Sequence, residues 1–167
     1  LGNNSDDTGP VEVTGKGTFL KKGLFDCAVD YQFDFTYANG VRMLCTTNQP
    51  RGVKFEGTDG WVFVHIHGGN LEASKPGLLK ERIGPEEIHL GRSPGHHADF
   101  LRAVRTRGLP FAPVEVGVRT ATMCHLANIA MLTGRTIKWD PVKEIITNDD
   151  EARKMCARPM RAPWTLT

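Results

Sequence analysis

An α+β fold, a largely antiparallel open β-sheet with helices packed on one face, is the architecture that this sequence predicts. Three observations carry it. Strict period-two alternation over CAVDYQFDFTY, Cys27 to Tyr37, marks a long strand with unlike faces. Asn39-Gly40 follows at once, the pair best able to take positive φ at both turn positions, and VRMLCTTN returns as the hairpin partner. A nearly continuous apolar stretch, Glu115 to Thr133, reads as a long helix and comes after the strands rather than between them.

Taken in order, VEVTGKGTF is an edge strand. On the strand after it, Cys27, Val29, Tyr31, Phe33, Phe35 and Tyr37 share one face, and Ala28, Asp30, Gln32, Asp34 and Thr36 share the other. A second hairpin, RGVKFEGTDGWVFVHIH, turns at Thr58-Asp59-Gly60. In it Val62, Val64 and Ile66 alternate with Trp61, Phe63, His65 and His67. If the aliphatic set meets the helices, the ring-bearing set lies on the open face. Large aromatics on such a face mark a partner surface. Trp61 and Phe63 are therefore expected at a homo-oligomer interface formed through that face.

LEAS, residues 71–74, makes a short strand, and Pro76 to Glu81 a turn or two of helix. Ser93-Pro94 opens a helix with Phe100, Leu101 and Val104 inward, Arg102, Arg105 and Arg107 outward, and Gly108 as its stop. The Glu115–Thr133 helix ends at Gly134, suited to the left-handed C′ position, and its C-terminal part is expected to be fully buried. TIKW is a closing strand. Asn148 or Asp149 caps a last short helix, and the tail RPMRAPWTLT is irregular.

The totals set bounds. At 167 residues with no linker, the chain suits one domain with one core. A hydrophobic share of 40% and a charged share of 24% are those of a soluble globular protein. The net charge of +2 comes from 21 basic and 19 acidic residues with no basic run, which argues against a nucleic-acid partner. No window approaches the roughly 18 apolar residues of a membrane helix. LGNNSDDTGP has no signal-peptide pattern and reads as the continuation of a longer chain. Cys27, Cys45, Cys124 and Cys156 are widely spaced without C-x-x-C and read as buried free thiols. That suits a reducing compartment, so a cytoplasmic location is expected, with export of a longer protein left open.

Chemistry-bearing motifs are few. Neither G-x-G-x-x-G nor a P-loop is present, and Gly15-Lys16-Gly17 precedes no helix. His65-x-His67 places two imidazoles on one strand face. With no third ligand at metal spacing, they read as an interface cluster or substrate contacts, not a metal site. In Gly95-His96-His97-Ala98-Asp99 one His is a candidate base or substrate contact beside Asp99, against simple capping and solvation. Arg119 stands in the first turn of the long helix, placed either to bind an anion with the free N–H groups or to pair with Glu115. His125 reads as a core histidine bonded to a backbone carbonyl.

Several longer strings are more specific: FEGTDGWVFV, LEASKPGLL, HHADFLRAVRTRGLPFAPVEVGVRTATMCHLANIAMLTGRTIKWDP and NDDEARKMCARPMRAPWTL. Together they resemble the C-terminal domain of bacterial Gfo/Idh/MocA-type oxidoreductases, the relatives of glucose–fructose oxidoreductase and inositol dehydrogenase. The resemblance runs from about residue 10 onward, strongest at GTDGWV, WDP and R-x-PW. It implies an NAD(P)-binding Rossmann domain ahead of a domain like this one. The second domain would be an open antiparallel sheet that helps form a sugar or polyol site and mediates dimers or tetramers. The family's Glu-Lys-Pro lysine and its Asp-x-x-x-His-type pair have no counterpart here. Val118 stands where relatives often have His, and His65-x-His67 where Arg or Ser is common.

The resulting expectation is the C-terminal substrate and oligomerisation domain, residues 1–167, of an NAD(P)-dependent sugar or polyol oxidoreductase. Its substrate contacts would be His65, His67, His97 and Arg119. No catalytic residue, metal or cofactor site is expected in these residues, the NAD(P) belonging to the full-length protein. The alternative is a stand-alone ligand-binding or assembly module without catalysis. An upstream reading frame with G-x-G-x-x-G and Glu-Lys-Pro would separate the two.

Overall fold

The computed structural model describes residues 9–66 and 69–165. The chain forms two compact units. One is built from the described residues up to Asn48 together with those from Arg107 onward, and the other spans Gln49–Thr106.

The first unit is a five-stranded antiparallel sheet under a long helix. Its strands are β1 (Pro10–Phe19), β2 (Ala28–Tyr37), β3 (Arg42–Thr46), β7 (Ile137–Asp140) and β8 (Ile145–Ile146), ordered β3-β2-β1-β7-β8. The second unit holds β4 (Gly52–Gly57), β5 (Gly60–His65) and β6 (Leu71–Ala73) as a separate antiparallel sheet, then a 3-10 turn at Pro76–Lys80 and α1 (His96–Thr106). The two hairpins legible in the sequence thus belong to different sheets. Helices α2 (Val114–Thr133) and α3 (Asp150–Lys154) complete the first unit. The α+β class with an open antiparallel sheet is the observed one. No helix among the described residues is long and apolar enough to cross a membrane.

The core sits between β1, β2, β7 and α2. Val13 faces Phe35 on one neighbour and Ile137 on the other, and Val13 and Ile137 are fully buried. Met123, Leu126, Ala127, Ile129 and Ala130 of α2 close over them, with Trp139, Ile146 and Ala152 at the flank. The aromatic face of β2 is the covered one: Phe35 and Tyr37 are buried and Phe33 packs against the cluster. The alternation gave this strand two unlike faces, and the aromatic one is the face that meets α2, the opposite of the arrangement expected for Trp61 and Phe63 on the second hairpin. Gly15, opposite Phe33, supplies the room, because a Cβ there would stand 2.7 Å from the ring and 3.2 Å from the Ala127 carbonyl oxygen. The other face carries Glu12, Thr14, Lys16, Gln32, Asp34 and Thr36 and is polar, as an open antiparallel face can be.

Local details correct several expectations. In the β2–β3 turn only Gly40 takes positive φ (85°), while Asn39 uses its side-chain oxygen to accept the Val41 N–H. Helix α2 ends as expected at Gly134, whose φ of 65° and N–H bond to the Ala130 carbonyl form a left-handed cap. Its last turns bury one face only, with Leu132 56% exposed, and in mid-helix His125 faces solvent rather than the core. The cysteines are free, as read, but all four are exposed instead of buried. On α1 the inward residue is Asp99, while Phe100, Leu101 and Val104 are exposed, so the expected apolar face is not the covered one. That helix stops at Arg107, which takes the left-handed position (φ 56°) ahead of Gly108. Asp149, not Asn148, caps α3. Asn148 instead braces β7, accepting the Lys138 N–H and donating to the Thr136 carbonyl.

Candidate functional site

Register on the second sheet assembles a mixed face around β5. Trp61 lies opposite Glu56, Phe63 opposite Lys54 on one side and Glu72 on the other, and His65 opposite Gly52. Directly paired residues share a face, so two rings, an imidazole, a lysine and two carboxylates come together. Trp61, Phe63 and His65 are half-buried.

The contacts are specific. His65 Nε2 and Glu72 Oε1 are 2.6 Å apart. The Phe63 ring meets the imidazole edge-on at 4.5 Å between centroids. Lys54 places its ammonium 5.0 Å from the Trp61 ring centroid and 2.6 Å from Glu56 Oε1. A carboxylate on Nε2 fixes the imidazole's orientation and leaves Nδ1 as the nitrogen that can meet a ligand hydroxyl. An aromatic floor rimmed by such groups suits a polar ring compound with several hydroxyls.

Glu72, Lys54 and Glu56 were not singled out by the sequence. A three-residue strand has no period to read, and Glu72 reaches His65 only through pairing of β6 with β5. The opposite face of this sheet is apolar, with the Phe55 ring among its aliphatic side chains, and its Val53, Phe55 and Leu71 are 55, 58 and 53% exposed. The helix cover expected for that face is not found over these three side chains, while Val62 and Val64 are half-buried and the Pro76–Lys80 turn packs against β5 and β6.

The other candidate residues stand in different surroundings. His67 lies outside the described residues. His97 is exposed in the first turn of α1, while Asp99 turns inward and accepts from Arg102 Nη2 at 2.6 Å. Arg119, in the first unit, has a side chain only 11% exposed. Its Nε donates to Glu115 at 2.7 Å, and its Nη1 donates to the Pro141 carbonyl at 2.6 Å and pairs with Glu144 at 3.2 Å. The Glu115 pairing left open by the sequence is thus formed.

Among the described residues, no group of three or more His, Cys, Asp and Glu could hold a metal ion. In the first unit a shallow cleft of about 190 Å³, lined by Lys16, Asp30, Tyr31, Gln32 and Asn48 among others, is smaller than an ordinary ligand pocket.

No curated protein sequence matches the chain. Among solved structures it is similar to the crystal structure of an NAD-binding protein from Listeria innocua, with 16% identity and a TM-score of 0.58. The similarity covers 79% of this chain and 42% of that one, so the chain spans less than half of that protein's length. At this identity the likeness is one of fold. A family model described as "Oxidoreductase family, C-terminal alpha/beta domain", of the GFO/IDH/MocA group, matches residues 3–166. The chain therefore belongs to that oxidoreductase family, as its C-terminal α/β domain.

Proposed function

We propose that this chain is the substrate-contacting and oligomer-forming part of an NAD(P)-dependent oxidoreductase acting on sugars or polyols. Family membership over residues 3–166 supports the reaction class. The observation that carries the substrate side is the carboxylate-held imidazole beside two aromatic rings, His65 with Glu72 next to Phe63 and Trp61. In this reading the dinucleotide is held by a part of the full protein outside this chain and supplies hydride exchange with a carbinol carbon. His65 Nδ1 hydrogen-bonds a substrate hydroxyl, Glu72 keeps the ring in position, and the aromatic faces take the C–H surface of the sugar. His67, His97 and Arg119 are further candidate contacts, with Arg119 also bracing its own helix. Trp61 and Phe63 contribute to a homo-oligomer surface on the same face.

The test is a spectrophotometric assay of the full-length protein with NAD or NADP and a panel of polyols and aldoses. Glu72→Gln and His65→Gln are expected to raise KM about tenfold, the worth of one hydrogen bond of roughly 1.4 kcal/mol, with the fold intact. An unchanged KM in both variants, or no turnover of any polyol or aldose, would overturn the reading. For the oligomer, sedimentation should show Trp61→Glu shifting the protein toward monomer. A wild type that is already monomeric removes the interface.

A further inference from the structure

Two of the four cysteines are brought to one edge of the sheet–helix layer in the first unit. On β3, Met43 pairs with Phe35 and Cys45 with Phe33, so both share the face that α2 covers. Met43 packs against the core cluster. Because β3 is the edge strand, Cys45 faces the helix flank yet stays open to solvent.

The side of α2 that faces β2, beyond which β3 lies at the sheet edge, is marked by two contacts. Tyr37 of β2 donates to the Met123 sulfur, and the space above Gly17 is filled by Met131, next to Ala28 of β2. Cys124 lies seven residues before Met131 and so on the same flank, about 10.5 Å back along the axis at 1.5 Å per residue. That step leads from the rung of Gly17 and Tyr31 toward the rungs Gly15–Phe33 and Val13–Phe35. On β3 those same rungs are Cys45 and Met43. Burial first, and then the nearby Cys124, push the Cys45 thiol up. Both thiols are exposed and free. The whole second unit, Gln49–Thr106, lies between them in the chain.

We propose that Cys45 and Cys124 form an oxidisable dithiol that a peroxide converts into an intramolecular disulfide, closing the chain around the second unit. One thiolate attacks a peroxide oxygen, the O–O bond breaks, and a sulfenic acid and water form after proton uptake. The second thiol, losing its proton, attacks the sulfenic sulfur and expels a second water. Two sulfurs give up two electrons together, and hydrogen peroxide takes both.

The test treats the protein with hydrogen peroxide, blocks remaining thiols with N-ethylmaleimide and maps tryptic peptides. The expected product joins the Cys45 and Cys124 peptides, is reversed by dithiothreitol, and leaves Cys27 and Cys156 alkylated. A protease cut within the second unit gives a second readout: its fragments should migrate together on a non-reducing gel after oxidation and separate before it. Cys45→Ser should abolish the link and leave a sulfenic acid at Cys124 that dimedone traps. Sulfinic acids at both positions, or bonds to Cys27, Cys156 or a second molecule in place of this one, would overturn the proposal.

Discussion

The Tyr37 hydroxyl of β2 donates to the sulfur of Met123 on α2 at 3.3 Å, and both side chains are buried. This contact spans 86 positions of sequence and ties the end of the first hairpin to the middle of the helix. Burial raises the Tyr37 pKa, so the phenol stays a donor throughout the neutral range. Sulfur is a weak acceptor, so Tyr37→Phe is expected to cost only about 0.5–1 kcal/mol. Met123→Ala also removes buried volume and should cost about 2–4 kcal/mol. Urea unfolding of both variants measures the difference; equal losses would show that the hydroxyl, not the packing, dominates.

The same helix offers a contrast between faces. Leu126 and Ile129 are almost fully buried, whereas Leu132 is more than half exposed. Truncating either buried residue to alanine should cost about 2–5 kcal/mol, and Leu132→Ala should stay within about half a kcal/mol. Denaturant midpoints for the three variants decide it. A large loss at Leu132 would mean that its flank is covered in the assembled protein.

Much of this was legible in the residues because each signal was local. Alternation on β2, the glycine after Thr133 and the acceptor ahead of DEARK each dictate structure within a few positions. Less legible was what covers each face. Period two says that β2 has unlike faces; which one meets α2 depends on Gly15 across the ladder, where only a missing side chain admits Phe33 and the helix together. On α1 the apolar positions suggested an inward face, yet the buried residue is Asp99, which holds Arg102. At the candidate site, His65 could be named from the strand pattern, but its partner Glu72 could not, because β6 is too short to show a period.

That dependence on Gly15 can be tested. A methyl group there meets the Phe33 ring and the Ala127 carbonyl, neither of which can swing away. Gly15→Ala should therefore cost about 1–3 kcal/mol from overpacking. At Gly17 the nearest obstacle is the Met131 side-chain end, which can rotate, with the fixed Ala28 Cβ farther off at 3.2 Å, so Gly17→Ala should cost less than Gly15→Ala. Thermal or urea unfolding of the pair checks the order, and a reversal would place α2 differently over β1.

Arg119 fastens the turn after β7 to the start of α2. It reaches two carboxylates and the Pro141 carbonyl, and one of the carboxylates, Glu144, sits at a left-handed φ of 54°. Arg119→Ala leaves these groups without their planar donor and should cost about 2–4 kcal/mol. Lysine, a point charge without the fork, should recover little of it. Equilibrium unfolding measures the loss. A silent Arg119→Ala would free this residue for a purely ligand-directed role.

Asp149 gives the protein an acid limb. Its carboxylate accepts the Glu151 and Ala152 N–H groups at 3.0 Å each and Arg135 Nε at 2.6 Å. The Ala152 N–H first, with Arg135 adding to it, holds the pKa below the ordinary carboxylate value. A folded pKa below the unfolded one means that the unfolded chain takes up the proton first. The stabilisation is thus complete above the unfolded pKa of about 4 and is lost as pH falls through the folded value. Asp149→Ser keeps a capping oxygen but has no charge to titrate. Unfolding midpoints from pH 7 down to pH 2 should show the wild type ahead of Asp149→Ser at neutral pH, with the gap narrowing below about pH 4. A gap of constant size across that range would assign the cap's contribution to geometry alone and leave the carboxylate's charge without a part in it.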